Sequence, residues 1–273
     1  MTGAPIIAGS ISAEGFTDGD SFMGHTNALL DSGVALSASD ETADGPATNA
    51  ASWLTHARWK FSASGTVFLN FTYESARAIR ALGIFRHNLG SNGCTVRLRH
   101  SDDGAAWTTL IEQNPDPDDR ILFRVASGAE THRFWRVEID NPNAASLYTG
   151  NVFAGDVLKM WSPPEFGWSP PGLAKNDRFL NSRSEGGDPI GRSLLRREDM
   201  IDVNLSAVPE AWVRADWEPA MSALLEHPVY FSWDNARFPD EAAFCFTDRP
   251  PRRPAYSGPK HFDIGFSAVA LRY

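Results

Sequence analysis

The side chains that could do chemistry are few and scattered. Seven histidines stand at positions 25, 56, 87, 100, 132, 227 and 261. None forms a His-Glu-x-x-His motif or a spacing that would hold zinc. Cys94 and Cys245 are the two cysteines. They lie in no recognisable nucleophile context and are too few for a disulfide framework. No Gly-x-Ser-x-Gly elbow presents a serine, and no glycine pattern suits a phosphate or dinucleotide. Acids are plentiful, but no local pair stands out as the two carboxylates of a glycosidase, and they read as solvated surface. Thr17-Asp18-Gly19-Asp20 has the look of half a calcium loop. It lacks the alternating acids and closing glutamate of such a site, so it reads as a turn. No metal, no cofactor and no enzymatic activity are expected.

Binding chemistry remains. Trp53, Trp59 and Trp107 lie in or near loops of the first half, and a tryptophan face either stacks on a sugar ring or packs under a loop. Trp59 and Trp107 read as core. Trp53, with His56 and Arg58 close by, is open to either role, and His87-Asn88, just after the strand ALGIF, is open to a contact or to no more than a turn of the chain. These five, Trp53, His56, Arg58, His87 and Asn88, are the candidate glycan contacts. A second candidate is the run Arg249-Pro-Pro-Arg252-Arg253-Pro254, with Tyr256 just beyond. Its prolines lower the entropy cost of ordering it on a partner protein.

The elements that must position these residues are mainly strands. Phe 17, Trp 9, Gly 22 and Pro 18 in 273 residues put many aromatics between many turn-formers. Val67, Leu69, Phe71 and Tyr73 alternate with polar neighbours; so do Val96 and Leu98, and Trp135, Val137 and Ile139. Period two marks half-buried antiparallel strands. Trp161 to Leu173 carries two Pro-Pro pairs and reads as an extended linker. Beyond it, strands surround one helix, expected over Asp216 to His227 with Asp216 as its cap and Pro219 in its first turn. The segment around Arg249 to Lys260 reads as a long exposed loop. The terminal strand Phe262 to Tyr273 reads as an unpaired edge, and the helix as cover for only one face of its sheet.

The length suggests two domains. The formal net charge of −9 argues against nucleic acid as a partner, since that needs a basic footprint. No apolar run approaches a membrane span, and the first residues have neither the basic start nor the apolar stretch of a signal peptide.

The stretch Leu36 to Phe61, LSASDETADGPATNAASWLTHARWKF, resembles the opening of discoidin-type, galactose-binding-like domains. Ala38-Ser39, Pro46-Ala47, Asn49-Ala50 and Trp59 occupy the places of the strand end, small-residue loop, helical turn and buried Trp of that family. VFLNFTYESARAIRALGIF resembles its strand, turn and return strand. Ser101, Asp103, Gly104 and Trp107 match its hairpin, RFWRVEID a later strand and NVFAGDVL the last one. The family's Asp-Gly-Asp before the Trp is replaced by SWLTHAR. The resemblance covers roughly residues 30 to 160 and implies a jelly-roll β-sandwich. The combination with an F-G-W-S-P segment and a strand–helix–strand half is similar to distal-tail or baseplate proteins of bacteriophages and prophages, although the better-known ones carry their ring domain first.

The expected fold is therefore mainly β. Residues 1–160 form a galactose-binding-like jelly roll, 161–174 a Pro-rich linker, and 175–273 a β-rich ring-forming domain with one helix. The expected function is structural, in an oligomeric ring at a phage tail tip. Its partners are a trimer or hexamer of the same chain and neighbouring tube, hub or fibre proteins, with the virion tail as location, after assembly in a bacterial host's cytoplasm. The alternative is a module that binds a host-surface glycan.

Overall fold

The computed structural model describes residues 19–273. Its strands are β1 (Phe22–Gly24), β2 (Ala35–Ala38), β3 (Trp59–Phe61), β4 (Gly65–His87), β5 (Thr95–Ser101), β6 (Thr108–Gln113), β7 (Leu122–Asn141), β8 (Leu147–Gly155), β9 (Leu158–Lys159), β10 (Arg178–Arg183), β11 (Pro189–Arg196), β12 (Asp199–Pro209), β13 (Val229–Ser232), β14 (Ala242–Phe246), β15 (Arg252–Gly258) and β16 (His261–Leu271). Thr17 and Asp18 of the suspected half calcium loop, and the start of the chain, lie outside the described residues.

The first unit is a mainly β, jelly-roll-type sandwich. Its two long strands, β4 and β7, pair antiparallel through most of their length, with register shifts between Thr72 and Arg77 and between Ile79 and Ala81. One end of this ribbon joins β2 and β5–β6. The other end joins β8 and β3. The ribbon thus bends from one face of the sandwich to the other. Between the faces lie Trp59, Phe61, Val67, Leu69, Phe71, Leu82, Ile84, Val96, Leu98, Trp135, Val137 and Ile139, all fully buried. Apart from Trp59 and Phe61, these are the residues that period-two alternation selects.

The second sheet runs β12-β16-β14-β13-β1-β9, with β15 also on β16. It draws in β1 and β9, which a division at residue 160 assigns to the first half. Every residue of β13 is buried. Val229 and Phe231 face the helix side, in a core with Val203, Trp217, Leu224 and Phe266. Tyr230 faces the opposite way, into a separate core with Phe22 and Phe244 of its own sheet and Phe85, Phe123 and Phe153 of the sandwich. A strand covered on both faces is apolar throughout. The expectation that the helix leaves one face of this sheet bare is therefore corrected: the sandwich covers it. Gly83 permits the close approach, because a Cβ there would lie 2.6 Å from the Tyr230 ring.

Other expectations need revision. The helix begins at Glu210, not at Asp216. It is α over Glu210–Trp212, π over Val213–Trp217 and α again over Glu218–Glu226. Pro219 sits inside it. Its ring would clash with the carbonyl four residues back and it offers no N–H, and the wider π turn just before it absorbs both defects. The terminal strand is not an edge: β16 pairs with β12 on one side and with β14 and β15 on the other. β12 is one edge, at the opposite end of the strand order from β9, and the segment 161–176 lies along it. Glu165 N–H donates to the Asn204 carbonyl, Met200 N–H to that of Ala174, and Asn176 N–H to that of Glu198. Trp168 packs edge-on against Phe231 and Trp233. The proline-rich stretch is a docked edge cover rather than a free linker. The expected loop before the last strand is the β15–β16 hairpin.

Candidate functional site

The loop 52–58 crosses the sandwich end beside β8 and the end of β4. Ser52 accepts a hydrogen bond at its carbonyl from Asn151 Nδ2 (2.7 Å). Gly150 lets the loop approach, since a Cβ there would meet the Thr55 carbonyl at 2.9 Å. Cross-strand pairing sets Trp59 and His87 on either side of Thr149. The chain thus brings most of the five candidate glycan residues to one region.

Three of them are engaged internally. Trp53 stacks on His227 with ring centroids 4.5 Å apart, and meets Phe244 at the edge of the core shared by the two units. His87 is buried; Nε2 lies 2.9 Å from the Arg120 carbonyl, and Nδ1 accepts from Leu89 N–H. Burial pulls its pKa below the usual histidine value, against the opposing pull of Asp119. Asn88 donates to the Ser146 carbonyl and accepts from Tyr148 N–H, holding the turn into β8. His56 is exposed, and Arg58 lies over the Tyr148 ring at 4.1 Å. Arg86 is exposed next to them in sequence register, with a left-handed backbone at φ 57°. A cationic patch with one aromatic ring remains open; a free tryptophan platform does not. Trp107, expected in the core, is half-buried, and Arg136 stacks between it and Phe68 at 4.0 Å from each ring.

The four partner-contact candidates, Arg249, Arg252, Arg253 and Tyr256, are all exposed on or beside β15. Tyr256 meets Phe262 edge-on, with centroids 4.8 Å apart.

A larger exposed element went unread in the sequence. Among the described residues, β10 and β11 pair only with each other, and every residue of both is exposed. The ribbon carries Phe179, Leu180, Ile190, Leu194 and Leu195 in the open, with Arg192 over the Phe179 ring. Its tip is a tight turn: Gly187 N–H donates to the Ser184 carbonyl and Asp188 N–H to Ser184 Oγ. Gly187 has φ +89°, which glycine adopts without strain. The alternation here is too irregular to separate a strand pair from a loop in sequence.

Cys94 and Cys245 are free and buried. Burial pushes the Cys94 thiol up to about 11 and the Cys245 thiol further still, so neither is a poised thiolate. Among the described residues, no helix is long and apolar enough to cross a membrane. Among the described residues, one group of side chains has the types to hold a metal ion, His100, Glu130 and His132, drawn together from strands about thirty residues apart.

No known protein family's profile matches the sequence, and no curated protein is detectably similar to it. Solved structures are similar over about half of the chain. The module CpGH89CBM32-5 of Clostridium perfringens, in complex with GalNAc-β-1,3-galactose, is 12% identical over 45% of this chain and 95% of its own, with TM-score 0.40. The family 32 carbohydrate-binding module of NanJ from the same species, in complex with galactose, is 12% identical over 49% of this chain and 98% of its own, with TM-score 0.40. A GH29 fucosidase of Ruminococcus gnavus in complex with fucose is 12% identical over 49% of this chain and 27% of its own, with TM-score 0.40.

Proposed function

We propose that this chain is a non-catalytic structural protein that assembles with copies of itself through the β10–β11 ribbon. The observation that carries the reading is that ribbon. A two-stranded hairpin is marginal alone in water, and this one keeps five large apolar side chains in solvent. It has four arginines against two acids on a chain of net charge −9. A basic, apolar arm on an acidic body is complementary to the body of a second copy. Repeated head to tail, such a contact closes a ring when the rotation allows. The exposed β15–β16 hairpin, with Arg249, Arg252, Arg253 and Tyr256, supplies a second contact to a neighbour. A trimeric or hexameric ring at a phage tail tip, meeting tube, hub or fibre proteins, is the finer form of the reading; its support is the order of sequence segments described above. Light scattering on a sizing column tests it. The full chain is expected to run as a closed oligomer. Replacing Arg178 to Arg196 by a short Gly-Ser turn is expected to leave a folded monomer. A full chain that stays monomeric at high concentration refutes the assembly reading.

A second reading, glycan binding by the sandwich, is favoured by the open patch of His56, Arg58, Arg86 and Tyr148. Cations beside an aromatic ring suit a sugar that carries a carboxylate. Binding to uronic- or sialic-acid glycans that Arg58→Ala abolishes would support it. A flat response across neutral and acidic glycans would remove it.

A further inference from the structure

We propose that His100, His132 and Glu130 form a binding site for one divalent zinc-class ion, with Asp102 orienting His132. The three side chains come from two strands. His100 ends the inward series Val96, Leu98, His100 on β5, at the rim of the sandwich core. Glu130 and His132 are two residues apart on β7, so they project to one side. They lie on the stretch where β7 bends between the two faces and its pairing with β4 changes register. Ligand atoms of all three fall within 4.8 Å of one another.

The finer geometry of His132 and Glu130 fits an ion. His132 Nδ1 lies 2.6 Å from Asp102 Oδ1. That contact places the ring proton on Nδ1 and leaves the Nε2 lone pair outward. Nε2 faces Glu130 Oε2 at 3.6 Å. A lone pair aimed at a carboxylate is repulsive unless a cation lies between them. Tetrahedral zinc with bonds of about 2.0–2.2 Å to nitrogen and oxygen sets its ligand atoms about 3.4 Å apart. The observed separation is close to that spacing. His100 stacks on His132 with centroids 3.9 Å apart and planes within 18°; in that arrangement the in-plane lone pairs of the two rings do not converge, so His100 turns out of the stack to bring a nitrogen to an ion held by His132 and Glu130. Among the described residues, no side chain or backbone group makes a hydrogen bond to the His100 ring. Its nitrogens are therefore available as the third ligand. Asp102 is then the carboxylate that fixes a ligating histidine's tautomer and raises its basicity. Two imidazoles and one carboxylate suit zinc better than calcium or magnesium, which prefer oxygen. The fourth position opens to solvent, on the side of the exposed Glu130.

The rival account is an imidazolium held between two carboxylates with no metal. Titration separates the two. Full-length protein is stripped with chelator and titrated with zinc chloride against a chromophoric competitor. One equivalent is expected to bind, more weakly at pH 5.5 than at pH 8 because protons compete for the same atoms. His100→Ala and His132→Ala are each expected to lose more than tenfold in affinity. Glu130→Gln, at an exposed position that leaves the core intact, is expected to do the same, and keeps the test valid if a histidine variant misfolds. Asp102→Asn is expected to weaken binding by about 10–100-fold, the range for outer-shell partners. Cobalt substituted for zinc is expected to give the visible absorption of a four-coordinate site, lost in Glu130→Gln. Absence of binding at 100 µM zinc (on the order of the weakest specific affinity worth assigning) overturns the proposal. So does an equivalent of zinc retained undiminished by Glu130→Gln and both histidine variants.

Discussion

Tyr230 is the residue on which the join between the two units turns. It is fully buried, and its hydroxyl donates to Asn151 Oδ1 at 2.8 Å across the shared core. Burial pushes its pKa well above the usual tyrosine value, so it stays neutral and keeps that proton. Tyr230→Phe removes the donor and leaves a buried amide oxygen without it, at an expected cost of about 1–3 kcal/mol in urea unfolding. Gly83→Ala places a methyl against the same ring, and overpacking of that kind costs about 1–3 kcal/mol. A wild-type midpoint in either variant would mean that the contact contributes nothing. Histidines set the acid limit. Burial lowers the pKa of both His25 and His87. The groups facing His87 are Asp119, Asp116 and the Arg120 carbonyl, all of which pull the other way. A folded pKa below the unfolded value means that the unfolded chain takes up the proton first. Stability is thus full above about pH 6.5, the unfolded histidine value, and falls as pH drops below it. The melting temperature is expected to decline from pH 7 to pH 5.5, less steeply in His87→Gln. An unchanged slope in that variant would assign the acid sensitivity elsewhere.

At the scale of elements, what could be read in the sequence was whatever one residue's neighbours determine. Period two located β4, β5 and the inner face of β7, because each buries one side against a single core. It did not show why Ala81, Phe85, Phe123, Phe153 and Tyr230 are buried as well, since that needs a second layer from distant sequence. Proline misled for one reason throughout. The missing N–H forbids a central strand or an ordinary helix turn, but it allows an edge cover, an outer hairpin strand and a π turn. Hence 161–174 looked free and is docked, and Pro219 looked like a helix start and lies within one. The candidate glycan residues were found as a neighbourhood. Their burial could not be read, because His227 and Phe244, which cover Trp53, lie far along the chain. Limited proteolysis checks the docked segment. Cleavage is expected first at the ribbon tip, near Glu185-Gly186-Gly187, where the backbone is exposed and turning. First cleavage within 161–174 would mean that the hydrogen bonds to β12 do not hold it.

At the scale of the whole molecule, the described residues form three cores, and the middle one belongs to both units. Ala81, Phe85, Phe123, Val125 and Phe153 come from the sandwich; Phe22, Tyr230, Ala242 and Phe244 come from the second sheet. Phe85 and Phe244 stack across it at 4.5 Å and 11°. Arg124 reaches from β7 to the Pro239 carbonyl and the Asp240 carboxylate, both at 2.6 Å. The chain also crosses between the units more than once: β1 and β9 flank the sandwich in sequence but pair in the other sheet. Neither unit can unfold without exposing the aromatic face of the other or pulling strands from its sheet. Truncating a core phenylalanine typically costs about 3–5 kcal/mol. The prediction is one cooperative unfolding transition for the full chain, with tryptophan fluorescence and far-UV circular dichroism coincident. Phe85→Ala, on the sandwich side, and Val203→Ala, deep in the helix-side core, should each lower that single midpoint for both probes. A sandwich cut off at residue 160 would lose the strands that cover Phe85 and Phe153, and it is expected to aggregate rather than run as a monomer. Two transitions, with Val203→Ala moving only one of them, would show instead that the units fold independently and that the shared aromatic core is only a contact between finished domains.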